Sequence, residues 1–313
     1  MSAALERAAR LIEGLEAGDR RALSRAITAA EAAGDEGRAI LRAIEPRLGR
    51  ARLVGFTGPP GAGKSTLISA YVGELRRRGQ RVAVIAVDPS SQISGGAILG
   101  DRIRMSQHDA DDGVFIRSIA SRGALGGLTP AALRAADVAD AAGFDVVVLE
   151  TVGAGQSDVD IAEVAEVPVV VSAPGLGDDI QAIKAGILEI ARVLIVNKSD
   201  LPHADRTRRQ LMSMLELRHP DARVPVLATT ATTGDGIPAL ADAIEAAAST
   251  MSAADRVARR RRHLRKLIAD AAARLLRDRL LARDDEELEK LCRAVAQGEI
   301  DVLTAAGRLV EGS

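Results

Sequence analysis

A chain of 313 residues can form one large domain with appendages or two domains, and its formal net charge of −1 gives no overall field to attract nucleic acid or an anionic membrane. Hydrophobic residues make up 47% of the sequence and aromatic residues 1%, so the core must consist of Ala, Val, Leu and Ile. The scarcity of aromatic rings also disfavours single-stranded nucleic acid, which is bound by base stacking. We expect neither a nucleic-acid nor a membrane partner.

The amino terminus and the cysteine content predict a soluble, cytoplasmic protein. The amino-terminal sequence is amphipathic with mixed charge and has no apolar signal-peptide core, and no run of about 18 apolar residues occurs in the chain. Cys292 is the single cysteine, which excludes an internal disulfide and a thiolate pair for zinc. Its helical surroundings predict that Cys292 is a small buried hydrophobe.

The hydrophobic pattern divides the chain into three parts. Residues 1–49 have helical spacing, which predicts an amino-terminal helical extension. Residues 50–250 alternate short apolar runs with helical stretches, which is typical of an α/β domain with a doubly wound, mostly parallel sheet. The predicted strands are RLVGFTG, RVAVIAVD, GVFIRS, DVVVLET, VPVVVSA, RVLIVNK and VPVLATT. After Met251 the strands stop, and leucines at helical spacing predict a helical region over 251–313.

The segment GFTGPPGAGKSTL predicts a phosphate-binding P-loop. It follows an apolar strand and opens a helix, so backbone N–H groups and the helix dipole can converge on phosphate oxygens. Lys64 would reach the outer phosphates and Ser65 would coordinate magnesium. A glycine-rich turn that ends in Lys-Ser by chance is the alternative, and the flanking strand and helix disfavour it. The predicted nucleotide-binding residues are Gly58, Pro60, Gly61, Ala62, Gly63, Lys64, Ser65 and Thr66.

The segment VLIVNKSD predicts a guanine site. A carboxylate at Asp200 can accept hydrogen bonds from N1–H and the exocyclic amine of guanine, and adenine offers neither donor at that edge. Asn197 would brace the loop and Lys198 would lie along the base, while the later TTATTGDGI places Thr230 and the backbone of Ala231 near the guanine oxygen. These residues favour GTP over ATP, although an ordinary turn would use the same residue types.

Two aspartates bracket the glycine-containing segment DPSSQISGGAILGD. Asp88 ends a predicted strand, where it can hold hydrated magnesium beside the P-loop, and Asp101 follows three glycines that would let it move in and out of the metal shell. The pair therefore predicts a switch with two magnesium-associated carboxylates. Two unrelated aspartates that form a turn and a helix cap remain the alternative.

The segment LETVGAGQSDVD supplies the next catalytic candidates. Glu150 stands where many GTPases have an aspartate and is predicted to act at the metal, and Gly153 could donate its N–H to the γ-phosphate. Gln156 comes three positions after that glycine, too far along to orient water unaided. We therefore expect slow hydrolysis that a partner accelerates.

The motifs GPPGAGKST, AVDPSSQISGGAILGDRIRM, GFDVVVLETVGAGQSDVDIAE, APGLGDDIQAIKAGILEIA and VNKSD together resemble the MeaB/ArgK family of GTPases over about residues 50–250. The resemblance implies a magnesium-dependent GTPase that is a chaperone of adenosylcobalamin-dependent acyl-CoA mutases, gating cofactor delivery, protection and reactivation. It also implies a homodimer through the carboxy-terminal helices, and a third switch with Gln181 and the catalytic Lys184. Departures at SIASRGALGGL and SAPGLGDDIQAIKAG leave the client open between methylmalonyl-CoA mutase and a relative.

Two other functions fit parts of the sequence. A kinase or ATPase linked to amino-acid transport, a label that some ArgK-type sequences carry, would use ATP, which VNKSD does not favour. A metallochaperone GTPase would need clustered His or Cys ligands, and the four histidines are scattered. The absence of an Asp-x-His-x-x-Gly motif predicts no stably bound cobalamin, and the arginine run at 256–266 predicts a solvated or subunit-facing helix.

Overall fold

The computed structural model describes residues 3–88, 105–120, 128–151, 161, 164–175, 188, 190–218, 224–282 and 286–311. The chain forms two compact units, Met1–Leu264 and Arg265–Ser313. The first unit opens with the helices α1 (Ala3–Glu16), α2 (Arg20–Ala32) and α3 (Asp35–Ile44), followed by a short 3₁₀ turn at Glu45–Arg47. Asp19 caps α2 by accepting a hydrogen bond from the Arg21 amide at 2.7 Å, which satisfies one of the orphan donors at the helix start.

A seven-stranded sheet forms the centre of the first unit. The strands are β1 (Arg52–Thr57), β2 (Val82–Asp88), β3 (Val114–Ala120), β4 (Val146–Glu150), β5 (Val167–Ser172), β6 (Val193–Val196) and β7 (Val226–Ala228). They are all parallel and lie in the order β3-β2-β4-β1-β5-β6-β7. This confirms the predicted doubly wound α/β class. The strand order reverses at β1, and a crevice at the carboxyl ends of the strands beside such a switch point is where ligands bind in this architecture.

Four described helices pack on the sheet. They are α4 (Lys64–Arg77), α5 (Pro130–Ala141), α6 (Ala204–Arg218) and α7 (Ile237–Ser249). Helices α4 and α7 share an aliphatic core with alternate residues of the central strands, and the opposite residues of β5 and β6 pack with α6. Aromatic side chains contribute little to this core beyond Phe56 against Tyr71, with ring centroids 5.7 Å apart. The core is therefore as aliphatic as the composition predicts.

Two arginines of the sheet domain form hydrogen bonds with the amino-terminal helix α2. Arg134 of α5 donates to the carbonyl oxygens of Ala30 (2.7 Å) and Glu31 (3.1 Å), the last turn of α2. Arg117 of β3 forms an ion pair with Glu31 at 2.8 Å and donates to the Thr28 hydroxyl at 3.1 Å. Because carbonyls in the last turn of a helix are not fully satisfied within the helix, Arg134 supplies the Ala30 and Glu31 carbonyls with a donor from the sheet domain.

The second unit is helical in its described residues. Helix α8 (Ala253–Leu281) begins in the first unit and ends in the second, and it is followed by α9 (Glu286–Ala296) and α10 (Val302–Glu311). Cys292 lies on α9 and is exposed, so the prediction of a buried cysteine was wrong. No residue of α9 is buried. The helical pattern of apolar residues around Cys292 therefore did not show whether the helix is buried in the protein. No helix in the described part of the chain is long and apolar enough to cross a membrane.

Candidate nucleotide-binding site

The P-loop turns sharply between β1 and α4. Gly58, Gly61 and Gly63 have φ of 140°, 82° and 83°, a region that side chains rarely adopt. A β-carbon at Gly58 would lie 2.0 Å from the carbonyl oxygen of Val171, and one at Gly63 would lie 2.6 Å from Nδ2 of Asn197. The close approach of β5 and of the Asn197 side chain therefore requires glycine at both positions.

Lys64 is the first residue of α4, and 8% of it is exposed. Its Nζ donates to the carbonyl oxygens of Gly58 at 2.8 Å and Pro59 at 3.3 Å, so the charged amine lies across the mouth of its own loop. The ammonium group is held by neutral carbonyls beside a helix N-terminus, where phosphate also binds. It can therefore exchange these carbonyl partners for a phosphate oxygen without crossing an apolar region. Its position is the one predicted for a phosphate-binding lysine.

Ser65 and Glu150 form a second polar pair beside the P-loop. The Ser65 hydroxyl donates to Oε1 of Glu150 at 2.8 Å, and Glu150, at the end of β4, is 3% exposed. A hydroxyl and a carboxylate are the hard oxygen ligands that magnesium takes in nucleotide sites, so this donor set fits that ion.

The other predicted metal and catalytic residues are only partly described. Asp88 ends β2, which pairs directly with β4, so its backbone lies one strand away from Glu150; its side chain is outside the described residues. The predictions for Asp101, Gly153, Gln156 and Lys184 also lie outside the described residues. Their roles stay predictions.

The predicted base-binding residues are brought together around one cavity of about 220 Å³. Its walls come from the segment after β6, the segment after β7 and the start of α4. The lining residues are Gly63, Thr66, Asn197, Lys198, Asp200, Leu201, Thr230, Ala231 and Thr232. Residues separated by more than 160 positions in the sequence therefore line one cavity next to the P-loop.

Asn197 and Lys198 connect this cavity to the P-loop. Nδ2 of Asn197 donates to the Ala62 carbonyl at 2.9 Å, and its Oδ1 accepts from the Thr229 hydroxyl at 3.2 Å and the Ala231 amide at 3.3 Å. Lys198, with φ of 55°, donates from Nζ to the Gly61 carbonyl at 2.8 Å. A shift of the base-binding segment would therefore break contacts to the phosphate-binding loop.

Ser199 is a further polar residue beside the base cavity, and it was not among the predicted site residues. Its hydroxyl lies 3.0 Å from that of Thr230, which lines the cavity. In the sequence, Ser199 is the unspecified residue between Lys198 and Asp200, and no pattern distinguishes it from a turn serine. Only the pairing of β6 with β7 places it opposite Thr230.

Gly63→Ala is expected to lower GDP affinity by about tenfold or more, because the new methyl group meets Asn197 and the positive φ strains an L-residue. Displacement of a fluorescent GDP analogue measures the affinity. Gly73→Ala is the matched control, since it lies within α4 and its β-carbon would approach only His108 Cε1 at 3.8 Å. Equal affinities in the two variants would contradict the role assigned to the Gly63 turn.

Comparisons with known proteins show which family this chain resembles. The family model described as "Methylmalonyl Co-A mutase-associated GTPase MeaB" matches residues 23–287. A protein of Pyrococcus abyssi that carries a provisional GTPase name is 44% identical over 308 residues, which cover 96% of this chain and 95% of that one. The mitochondrial methylmalonic aciduria type A homolog of Mus musculus is 34% identical, over 82% of this chain and 67% of that one.

A solved structure shows the same arrangement of helices and strands. The crystal structure of a LAO/AO transport system kinase superposes with a TM-score of 0.70 and 29% sequence identity, and the match covers 97% of this chain and 96% of that one. The similarity therefore extends over the helices at both ends of the chain as well as the sheet.

Proposed function

This chain belongs to the MeaB family of P-loop GTPases, and from that premise we propose that it is the chaperone of an adenosylcobalamin-dependent acyl-CoA mutase. The match of residues 23–287 to a family described as mutase-associated carries the proposal. The mouse relative, which is named for methylmalonic aciduria, supports the same client class. In this role GTP hydrolysis gates delivery of the cofactor to the mutase and its protection and replacement.

We assign the phosphate chemistry to Lys64, Ser65 and Glu150. The Lys64 amine exchanges its carbonyl partners for the outer phosphate oxygens, and the backbone amides of the glycine turn bind the remaining charge. Magnesium, when bound, supplies positive charge that stabilises the phosphates during in-line attack by water. Ser65 and Glu150 hold the ion on the protein side, together with Asp88 and Asp101. Gly153, Gln156 and Lys184 complete the proposed catalytic set.

The base cavity supports guanine as the substrate base. Asp200 is exposed at its rim, where a carboxylate accepts hydrogen bonds from the N1–H and the exocyclic amine of guanine. The Ala231 amide holds Asn197 through a 3.3 Å contact, which is long enough to be shared with the guanine oxygen. Adenine would place an acceptor opposite the Asp200 carboxylate. A site that hydrogen-bonds the donors of guanine therefore rejects adenine strongly.

The proposal includes a homodimer through the carboxy-terminal helices, no stably bound cobalamin and a cytoplasmic location. Large apolar side chains on α8 and α10 are exposed, including Ile268, Leu275 and Leu303. Large apolar side chains left exposed on these helices support a contact with another chain. A second chain that covers these residues would account for their exposure.

Neither competing function is favoured by the described residues. A transport-linked kinase is suggested by the name of the superposed LAO/AO transport system kinase, but the Asp200 cavity favours GTP over the ATP that such an activity uses. A metallochaperone would need a ligand cluster, and the described residues contain no group of three or more His, Cys, Asp or Glu side chains that could hold a metal ion.

The proposal is tested by measuring GTP and ATP hydrolysis with magnesium, alone and with purified methylmalonyl-CoA mutase or a related acyl-CoA mutase. We expect slow, GTP-selective hydrolysis that one mutase stimulates on the order of tenfold or more, with the stimulation lost in Lys184→Ala. The control variant Arg38→Ala, which removes an exposed cation of α3, should retain the stimulation by the mutase. GTP hydrolysis that no mutase changes would overturn the chaperone role and leave the GTPase intact.

A further inference from the structure

The base cavity has two walls that belong to neighbouring strands. One wall is the segment after β6, which carries Asp200, and the other is the segment after β7, which carries Ala231. Val196 is paired with Ala228 where the two strands end. If guanine is read by the Asp200 carboxylate on one wall and by the Ala231 amide on the other, the separation of the walls decides whether both contacts form together.

Backbone-to-backbone hydrogen bonds described between the two walls lie at their bases. The Thr229 amide donates to the Val196 carbonyl at 2.9 Å, and the Ser199 amide donates to the Thr229 carbonyl at 3.0 Å. Above these bonds, the hydroxyls of Ser199 and Thr230 meet at 3.0 Å. Ser199 directly precedes Asp200, and Thr230 directly precedes Ala231. The hydroxyl pair is thus one residue away from each base-reading group.

The wall after β7 is a closed turn in its own right. The Thr230 amide donates to the Asp235 carbonyl at 3.0 Å, and the Gly234 amide donates back to the Thr230 carbonyl at 3.0 Å. Gly236, with φ of 76°, closes the turn where a β-carbon would lie 2.3 Å from the Ala228 carbonyl oxygen. A turn held by its own hydrogen bonds moves as one body. The contact between the Ser199 and Thr230 hydroxyls can therefore fix the distance of the whole turn from the Asp200 wall.

We propose that Ser199 is a specificity-determining positioning residue: through Thr230 it sets the separation of the Asp200 carboxylate and the Ala231 amide, so that N1, N2 and O6 of guanine are bound at once. The inference rests on the proposed guanine site. Asn197 holds the Ala231 wall from the P-loop side, and Ser199 holds it from the Asp200 side. The two links are therefore distinct in position and in effect.

The test compares the dissociation constants of GDP, IDP and ADP in the full-length protein by displacement of a fluorescent nucleotide. Inosine lacks the exocyclic amine but keeps N1–H and O6, so IDP makes one contact fewer than GDP to the Asp200 wall and loses less when the separation of the walls changes. Ser199→Ala and Thr230→Val are expected to weaken GDP binding about five- to tenfold, the effect of one lost hydrogen bond, and IDP binding less. The ratio of the IDP to the GDP dissociation constant therefore falls.

Thr230→Ser, which keeps the hydroxyl, should retain that ratio, and the double variant Ser199→Ala/Thr230→Val should lose no more than either single one. Equal losses of GDP and IDP affinity would mean a general structural role and would overturn the inference, as would unchanged affinities in Ser199→Ala. Failure of the proposed guanine site gives a different result, because the unsubstituted protein would then bind ADP as tightly as GDP.

Discussion

Lys64→Ala is expected to lower kcat/KM for GTP by about 10²–10³-fold, the range for loss of one preorganised charge-stabilising donor. The amine belongs to the first residue of α4 and already lies 2.8 Å from the Gly58 carbonyl, so little reorganisation is needed when phosphate replaces that partner. The steady-state rate of phosphate release, measured at several GTP concentrations and a fixed magnesium concentration, provides kcat/KM.

The matched control for Lys64 is Arg77→Ala on the same helix. Arg77 is an exposed cation that pairs with Glu74 at 2.7 Å, and it lies at the far end of α4 from the P-loop. We expect kcat/KM in this variant to stay within about twofold of the unsubstituted protein, as surface ion pairs contribute little. A Lys64→Ala protein that hydrolyses GTP as fast as Arg77→Ala would exclude Lys64 from the phosphate chemistry.

The fold could be predicted where a signal is local. Each strand is a short apolar run, because a parallel sheet with helices on both faces buries nearly every strand residue, and β4 through β6 are buried throughout. The P-loop and the base segment are also local, since both directly follow strands. Their positions next to one another were predictable from the rule that parallel strands end at the same sheet edge.

Contacts between distant residues could not be predicted in the same way. The hydrogen bond from Asn197 to Ala62 spans 135 positions, and the Ser199–Thr230 pair depends on which residues of β6 and β7 are paired. Most positions in the arginine run at 256–266 are charged, so the run has no periodic pattern of apolar residues that would indicate which face of the helix is buried. The prediction of a solvated or subunit-facing helix missed that His263 is buried and that Arg259 and Arg260 are partly buried within the first unit.

The second large effect concerns the charged cluster at the start of α8. Arg260 donates to Oδ1 of Asp137 on α5 at 2.9 Å and to Oε2 of Glu45 at 3.0 Å. The Asp137 side chain is 12% exposed, and His263 Nε2 lies 3.7 Å from its second oxygen. Asp137, Arg260 and His263 line a small pocket together with Asp140 and Arg259. Asp137 therefore faces charges of both signs. Arg260 is the cation that hydrogen-bonds the Asp137 carboxylate.

Burial shifts both titratable groups of this cluster. It raises the pKa of Asp137 to about 6, against the lowering effect of Arg260, and it lowers the pKa of His263 to about 3, helped by the charges of Arg260 and Arg259. A raised carboxyl pKa means that the Asp137 contribution to stability is full below about pH 4 and is lost as the pH rises to about 6. His263 acts in the opposite direction, because only the unfolded chain takes up its proton as the pH falls below 6.5.

Arg260→Met is therefore expected to lower the free energy of unfolding of the first unit by about 3–5 kcal/mol at pH 8, where Asp137 is left as a buried carboxylate without its guanidinium partner. The loss should be smaller at pH 5, because removal of Arg260 raises the pKa of Asp137 further and the carboxyl is then neutral. Denaturant unfolding at pH 8 and pH 5 measures the loss of stability at each pH. Arg261→Met, a substitution of the exposed neighbour on the same helix, should change the stability by less than about 0.5 kcal/mol.

The double variant Asp137→Asn/Arg260→Met separates the ion pair from simple loss of packing. If the cost of Arg260→Met comes from the unpaired Asp137 charge, replacing that charge with a neutral amide restores most of the stability at pH 8 and removes the pH dependence of the loss. If the arginine stem contributes mainly by packing, the double variant stays as unstable as the single one at both pH values. The second result would show that Arg260 holds α8 to α5 by its apolar stem, and the cluster would then have no electrostatic role in the stability of the first unit.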